Sequence, residues 1–304
     1  MTAQAAEVVE LGAPEARPAR RAFNWSFLGV LPFFLFSALF MLFPIGFLVI
    51  GSFKDSANQD AFTLNNYANL TSAQVGRAFA NSIEISLVTA ILGAICGLLL
   101  AYAVILGGLP TFLRTFVMTF AGVASNFAGI PLALAFIFTL GNLGLVTVWL
   151  RSTFHIDLLN DLGFRILSKV GIEIVYLYFQ LPLMVLIIAP AIDGLKKEWR
   201  EASENMGATP SQYWRYVALP ILLPSILGCT VLLFGNSFGA QATAYQLTSG
   251  QVPLATLLIG AQISGDVLHN PGLGYAMAMG MIAIMGFAIL MYSVLQRRSE
   301  RWLR

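Results

Sequence analysis

The side chains able to do chemistry in this sequence are few, and most stand alone. The two histidines, His155 and His269, lie far apart with no cysteine or histidine beside them, so no metal-ligand spacing exists. Cys96 and Cys229 each fall inside an apolar run and read as small hydrophobes. No nucleophile–base constellation is evident, and no Gly-Lys dipeptide occurs, so there is no phosphate-cradling loop. Catalytic residues, metals and cofactors are therefore expected to number none. Charge and aromatic rings gather in one place, Asp193-Gly-Leu-Lys-Lys-Glu-Trp-Arg-Glu-Ala-Ser-Glu-Asn-Met-Gly-Ala-Thr-Pro-Ser-Gln-Tyr-Trp-Arg-Tyr-Val-Ala-Leu-Pro220. The spacing predicts a helix over 196–206, with Leu195, Trp199, Ala202 and Met206 on one face and Lys197, Arg200, Glu201 and Glu204 on the other. Gly207 can adopt positive φ and end it. Thr209-Pro210-Ser211-Gln212 then matches a capping box with proline at the first helical position. A second short helix follows, carrying Tyr213, Trp214, Tyr216 and Val217 and ending where Pro220 opens the next apolar run. Two amphipathic helices meeting at a glycine bend make a knob suited to recognising another protein surface.

The elements that must hold this knob are membrane helices. Of 304 residues, 58% are hydrophobic and 11% charged, where a soluble domain carries roughly 25% charged residues. The charges lie in short clusters between six apolar runs: 27–53, 81–106, 116–140, 174–192, 221–245 and 274–295. The first is long enough to cross a hydrocarbon core of about 30 Å with tilt. The fold class is thus all-α, a polytopic membrane protein of about six transmembrane helices. Residues 1–26, rich in Ala, Glu, Pro and Arg, are expected to be a disordered cytoplasmic tail and residues 27–304 the membrane domain, with the loop at 193–220. With the N-terminus inside, 12 of the 17 Lys and Arg residues fall on inner segments, so both termini are placed in the cytoplasm. A net charge of +2, with no basic run interleaved with aromatics, leaves nucleic acid out.

Within the spans, Gly93 and Gly97 form one Gly-x-x-x-Gly pair and Gly235 and Gly239 another, with Gly228 on the same stripe; such faces let helices approach closely. Asn236, Ser237 and Gln241 fall on a different face of the fifth span and are assigned to the lining of a solute pathway, because polar groups in lipid need partners or water. Asn126 joins them: with Pro131 it marks a kink or break in the third span. Glu84 and Glu173 are placed at the outer membrane interface.

The loop at 193–220 resembles the EAA loop of the permease subunits of ABC (ATP-driven) importers. The matching residues are Glu201-Ala202-Ser203, then Gly207 at the family's spacing, then Val217, Leu219 and Pro220; Ser203 replaces an alanine and Val217 an isoleucine. The resemblance extends over about 81–295 and includes Phe179-Gln180-Leu181-Pro182. It implies the type I importer permease fold in a bacterial inner membrane, with those seven loop residues coupling to an ATP-binding subunit that must be another chain. It also implies a solute-binding protein outside the membrane as a partner. Asn205-Met206-Gly207-Ala208 resembles the branch moving polyamines, opines, phosphonates, iron or sulfate, nearest to spermidine/putrescine permeases, in which two different permeases pair. An ion-coupled secondary transporter, the alternative, needs acids or histidines at mid-membrane, and this sequence has only the two boundary glutamates.

Overall fold

A computed structural model describes residues 26–55, 61–264 and 269–300. The expected tail at 1–26 lies almost wholly outside the described residues. Residues up to Gly46 form one compact unit and those from Phe47 onward a second. Helix α1 (Ser26–Ser37) passes through a π-helical turn (Ala38–Leu42) into α2 (Phe43–Ser52). This apolar rod holds the first of six helical segments long and apolar enough to cross a membrane.

The second unit continues through a short helix, α3 (Asn65–Ala68), to α4 (Ala73–Leu106), whose 34 residues span roughly 50 Å. Next come α5 (Thr111–Asn126), α6 (Ile130–Leu140), α7 (Leu145–Phe154) and α8 (Lys169–Asp193). The chain goes on through α9 (Lys197–Asn205), α10 (Pro210–Tyr213), α11 (Leu219–Phe238), α12 (Ala242–Thr248), α13 (Ala255–Ser264) and α14 (Pro271–Glu300). Among the described residues there is no strand, only an isolated antiparallel bridge between Lys54 and Phe62.

Two expected spans are not continuous helices. The run at 116–140 is split between α5 and α6 at Phe127–Gly129, where Gly129 has φ +74°. The break foreseen at Asn126 and Pro131 is therefore present, and Pro131 sits in the first turn of α6, where its missing N–H costs nothing. The apolar segment long enough to span in this region is Ile130–Phe154, which takes in α7. The run at 221–245 also breaks, at Gly239–Gln241, between α11 and α12. Conversely, the expected stop before Pro220 is absent: α10 runs through a π-helical turn (Trp214–Ala218) straight into α11. A proline ring crowds the carbonyl four residues back. The wider turn, in which the Leu219 N–H reaches the Trp214 carbonyl, relieves that crowding without ending the helix. The first span uses the same device one residue before Pro44, with the Phe43 N–H on the Ala38 carbonyl.

The core of the second unit is the packing of α4 on α8 and α11. In lipid such contact draws on close packing rather than escape from water, and glycine permits it. A methyl group at Gly97 would stand 2.5 Å from Met184 Cβ, and one at Gly93 would meet both Gln180 and Leu233 at 3.0 Å. Met184, Ile188 and Ile192 are fully buried along this seam. Gly97→Ala is therefore expected to force α4 and α8 apart and destabilise the domain by about 1–3 kcal/mol. Gly122→Ala on α5, where the added methyl meets nothing within 4 Å, should be neutral or slightly stabilising by helix propensity. Thermal unfolding of both variants in detergent checks the contrast.

Helix α8 is tied at each end. Arg114 at the start of α5 donates to both Asp193 carboxylate oxygens at 2.8 and 2.9 Å, and Lys169 meets Glu84 of α4 at 2.6 Å. Both pairs are substantially exposed, so they set orientation more than stability.

Candidate coupling loop and solute hollow

The loop folds as its local sequence dictates. Helix α9 ends in a complete Schellman motif: the Ala208 N–H donates to the Ser203 carbonyl at 3.0 Å and the Gly207 N–H to the Glu204 carbonyl at 2.9 Å. Gly207 takes the required left-handed conformation, φ +81°. The capping box forms as read: Gln212 N–H donates to Thr209 Oγ1 at 3.3 Å, and Thr209 N–H to Gln212 Oε1 at 2.7 Å. The second helix is anchored by Tyr213, which is buried, and by Trp214, whose ring meets Tyr102 of α4 edge-on with centroids 4.7 Å apart.

The residue of α9 that turns inward is Ser203, with 3% of its surface exposed and its Oγ donating to the Arg200 carbonyl at 2.7 Å. Its burial is consistent with a small residue at the third position of the Glu-Ala-Ser triplet. Glu201, Ala202 and Met206 face outward, Met206 with 81% of its surface exposed. Arg200 bonds to Glu204 at 2.8 Å, which raises its already high pKa and keeps it charged. Val217, Leu219 and Pro220 lie at the junction between the π-helical turn and α11, Val217 half-buried and the other two exposed. Between this pair of helices and the end of α4 is a cleft of about 500 Å³ lined by Tyr102, Leu106, Lys197, Arg200, Glu201 and Thr209. The surface thus offers charges of both signs beside an exposed methionine.

The two helix breaks lie side by side. Thr243 Oγ1 accepts from the Gly129 N–H at 2.9 Å and also donates to the Gly129 carbonyl at 3.3 Å, joining the α5–α6 break to the α11–α12 break. Beside them opens a hollow of about 430 Å³ lined by Ser125, Gly129, Phe179, Asn236, Gln241 and Thr243 among others, with no charged side chain in the lining. Non-helical backbone within apolar segments belongs next to protein or a cavity, and these breaks border both the Thr243 bridge and the hollow.

Of the residues assigned to a pathway, the structure brings Asn236 and Gln241 together at this hollow, both exposed to it. They do not share a helical face as expected, because α11 ends at Phe238 and Gln241 caps α12. Ser237 is placed elsewhere: it is 3% exposed and its Oγ is 2.9 Å from Thr89 Oγ1 on α4, a helix–helix hydrogen bond. Asn126 is exposed but folds back to donate to the Gly122 carbonyl at 2.8 Å, while Ser125 faces the hollow. The glycine stripe of the fifth span packs on α14 at two of its three members: methyl groups would meet Tyr292 at Gly228 and Met285 at Gly235. Sequence reading missed Tyr176, whose Oη donates to the Ala240 carbonyl at 2.6 Å, and Thr243 as a bridge. Both are polar groups within apolar runs, a visible signal, but their partners are 64 and 114 residues away in sequence.

The fold has counterparts among known proteins. Residues 85–301 match the family described as the binding-protein-dependent transport system inner membrane component. A probable sulfate transport system permease protein of Nephroselmis olivacea is 24% identical over 242 residues, covering 78% of this chain and 77% of its own. A spermidine/putrescine transport system permease protein of Haemophilus influenzae is 25% identical over 276 residues, covering 89% and 90%. Among solved structures, a bacterial ABC transporter importing the acidic polysaccharide alginate superposes with a TM-score of 0.70 at 18% identity over 90% of this chain and 96% of that one. With an all-helical membrane fold and a family match over most of its length, the chain belongs to the binding-protein-dependent transport system inner membrane components, the multi-pass permease subunits of ABC importers.

Proposed function

We propose that this permease forms one half of a solute route across the inner membrane and takes its driving force from a separate ATP-binding subunit docked on residues 193–220. The observation that carries the reading is the rigid, outward-facing bend at Gly207, whose exposed Glu201, Ala202 and Met206 have no covering partner within the described chain. A solute-binding protein outside the membrane delivers the solute, and a second, non-identical permease completes the route. The chain itself performs no catalysis. Asn236 and Gln241 line its side of the route, with Asn126 at the edge and Ser237 serving the wall through its bond to Thr89. The solute is a small polar or charged molecule. The polyamine class is favoured by the Asn205-Met206-Gly207-Ala208 bend and by the relative from Haemophilus influenzae, while the relative from Nephroselmis olivacea bears a sulfate name. Uptake of radiolabelled putrescine and sulfate by cells with and without the gene decides between them, and loss of sulfate uptake alone rules the polyamine reading out.

Both termini and the loop are assigned to the cytoplasm. Single cysteines at Ser152, Ser249 and Thr209, in a background lacking Cys96 and Cys229, test this. A membrane-impermeant maleimide should label the first two in intact cells and leave Thr209→Cys unlabelled until the membrane is opened. Labelling of Thr209→Cys in intact cells reverses the orientation.

A further inference from the structure

Helix α8 enters the coupling loop and α11 leaves it, so a displacement of the loop reaches the hollow only if these two helices move together. Their contact holds two side-chain-to-backbone bonds of a specific kind. Tyr176 Oη donates to the Ala240 carbonyl at 2.6 Å, and Gln180 Nε2 donates to the Leu233 carbonyl at 2.8 Å. The donors are one helical turn apart on one face of α8. The acceptors lie seven residues apart along the end of α11, and Ala240 sits within the Gly239–Gln241 break, next to Gln241 in the lining of the hollow. Tyr176 is 2% exposed and Gln180 0%, so both donors are buried, and the Gln180 bond lies wholly inside, in a low-dielectric setting where it is strong.

Gln180 carries a second mark. Its Oε1 is buried and finds no hydrogen-bond partner. A fully buried amide with one idle end is costly, and packing alone would be better served by an apolar side chain of similar shape. The amide is positioned by glycine, since Gly93 of α4 leaves room for Gln180 Cβ. One turn along both α4 and α11, Thr89 and Ser237 share the bond already described. The seam is thus a polar clasp between the helices on either side of the loop.

We propose that Tyr176 and Gln180 are positioning residues that make α8 and the broken end of α11 a single moving body, carrying displacement of the coupling loop to the wall of the hollow. The inference rests on the reading of 193–220 as the ATPase-docking loop. Its test uses the assembled transporter in proteoliposomes, free of Cys96 and Cys229, with one reporter cysteine at Thr209 in the loop or at Gln241 in the hollow, and a maleimide as probe. Trapping with ATP and vanadate should change the labelling rate at both reporters by roughly tenfold, the size of an ordinary coupling between sites. Adding Tyr176→Phe and Gln180→Met should abolish the response at Gln241→Cys and preserve it at Thr209→Cys. The thermal midpoint should fall by no more than a few degrees, because the two lost bonds are partly offset by removal of the idle Gln180 oxygen. Tyr176→Phe alone, which deletes one hydroxyl, should halve the response at least. A response at Gln241→Cys that survives both substitutions overturns the proposal. So does a fall in thermal midpoint that takes both responses down together, which marks a merely structural role. If Thr209→Cys fails to respond in the parent, the docking reading fails, and the proposal with it.

Discussion

Gly207→Asp should abolish solute transport while the protein still inserts and folds. Two effects act at this position. The conformation at Gly207, φ +81°, penalises a Cβ atom by about 1 kcal/mol, yet a Cβ there would meet nothing within 4 Å. Folding therefore loses little, and the thermal midpoint in detergent should fall by only a few degrees. On the proposed docking, the damage comes from a charged group projecting from the tip of the bend into the surface seated in the ATPase, where an unpaired buried charge costs several kcal/mol. Gly207→Ala carries the same backbone penalty without the bulk or charge, and it should retain a substantial part of the activity. Glu201→Lys, which reverses a charge on the same exposed face, should weaken transport without eliminating it. The defect should register as failure of the ATP-binding subunit to co-purify, or as ATP hydrolysis no longer stimulated by the solute-loaded binding protein. Full transport by Gly207→Asp would remove this loop from the coupling mechanism.

Gln241→Leu should change solute affinity or transport rate severalfold while assembly with the ATPase persists. The side chain is exposed in the hollow and lies over Gly260 of α13, where an added methyl would meet its Nε2 at 2.8 Å. Leucine fills similar space without hydrogen-bonding capacity, so a solute losing one hydrogen bond should suffer a cost of about 0.5–1.5 kcal/mol, which is roughly two- to thirteenfold in affinity. Ser237→Ala is the matched contrast. It deletes a buried bond to Thr89 and should lower thermal stability with the apparent affinity unchanged. Initial uptake rates across a concentration series, together with detergent melts, separate the two. If Gln241→Leu leaves uptake kinetics unaltered at normal expression, the residue serves only packing.

What the sequence revealed and what it hid divide along the range of the interactions. The bend at Gly207, the capping box at Thr209–Gln212 and the break near Pro131 are set by residues within five positions of one another, and each was legible. The run at 221–245 read as one helix because Gly239, Ala240 and Gln241 do not forbid helical geometry. Their departure from it is fixed by Tyr176 capturing the Ala240 carbonyl and by Thr243 bridging to Gly129, contacts far away in sequence. The π-helical turns before Pro44 and Pro220 were hidden for another reason: a proline reads as a stop, and a wider turn that lets the helix continue leaves no compositional mark. Ser237 carried the right polarity to be assigned to a pathway, but the neighbour that claims it, Thr89, lies 148 residues away.

The uninterrupted passage from α10 into α11 sets a leverage. Because the π-helical turn replaces a stop, Pro210–Phe238 is one rod of 29 residues, roughly 44 Å from end to end. A rod pivoting at its loop end by about 5° carries its far tip through roughly 4 Å, close to the breadth of a methylene chain. The far tip is where the helix gives way to Gly239–Gln241 at the hollow. If the loop is driven as proposed, a small angular slip there, shared with α8, therefore arrives magnified by the length of the rod at the wall of the hollow.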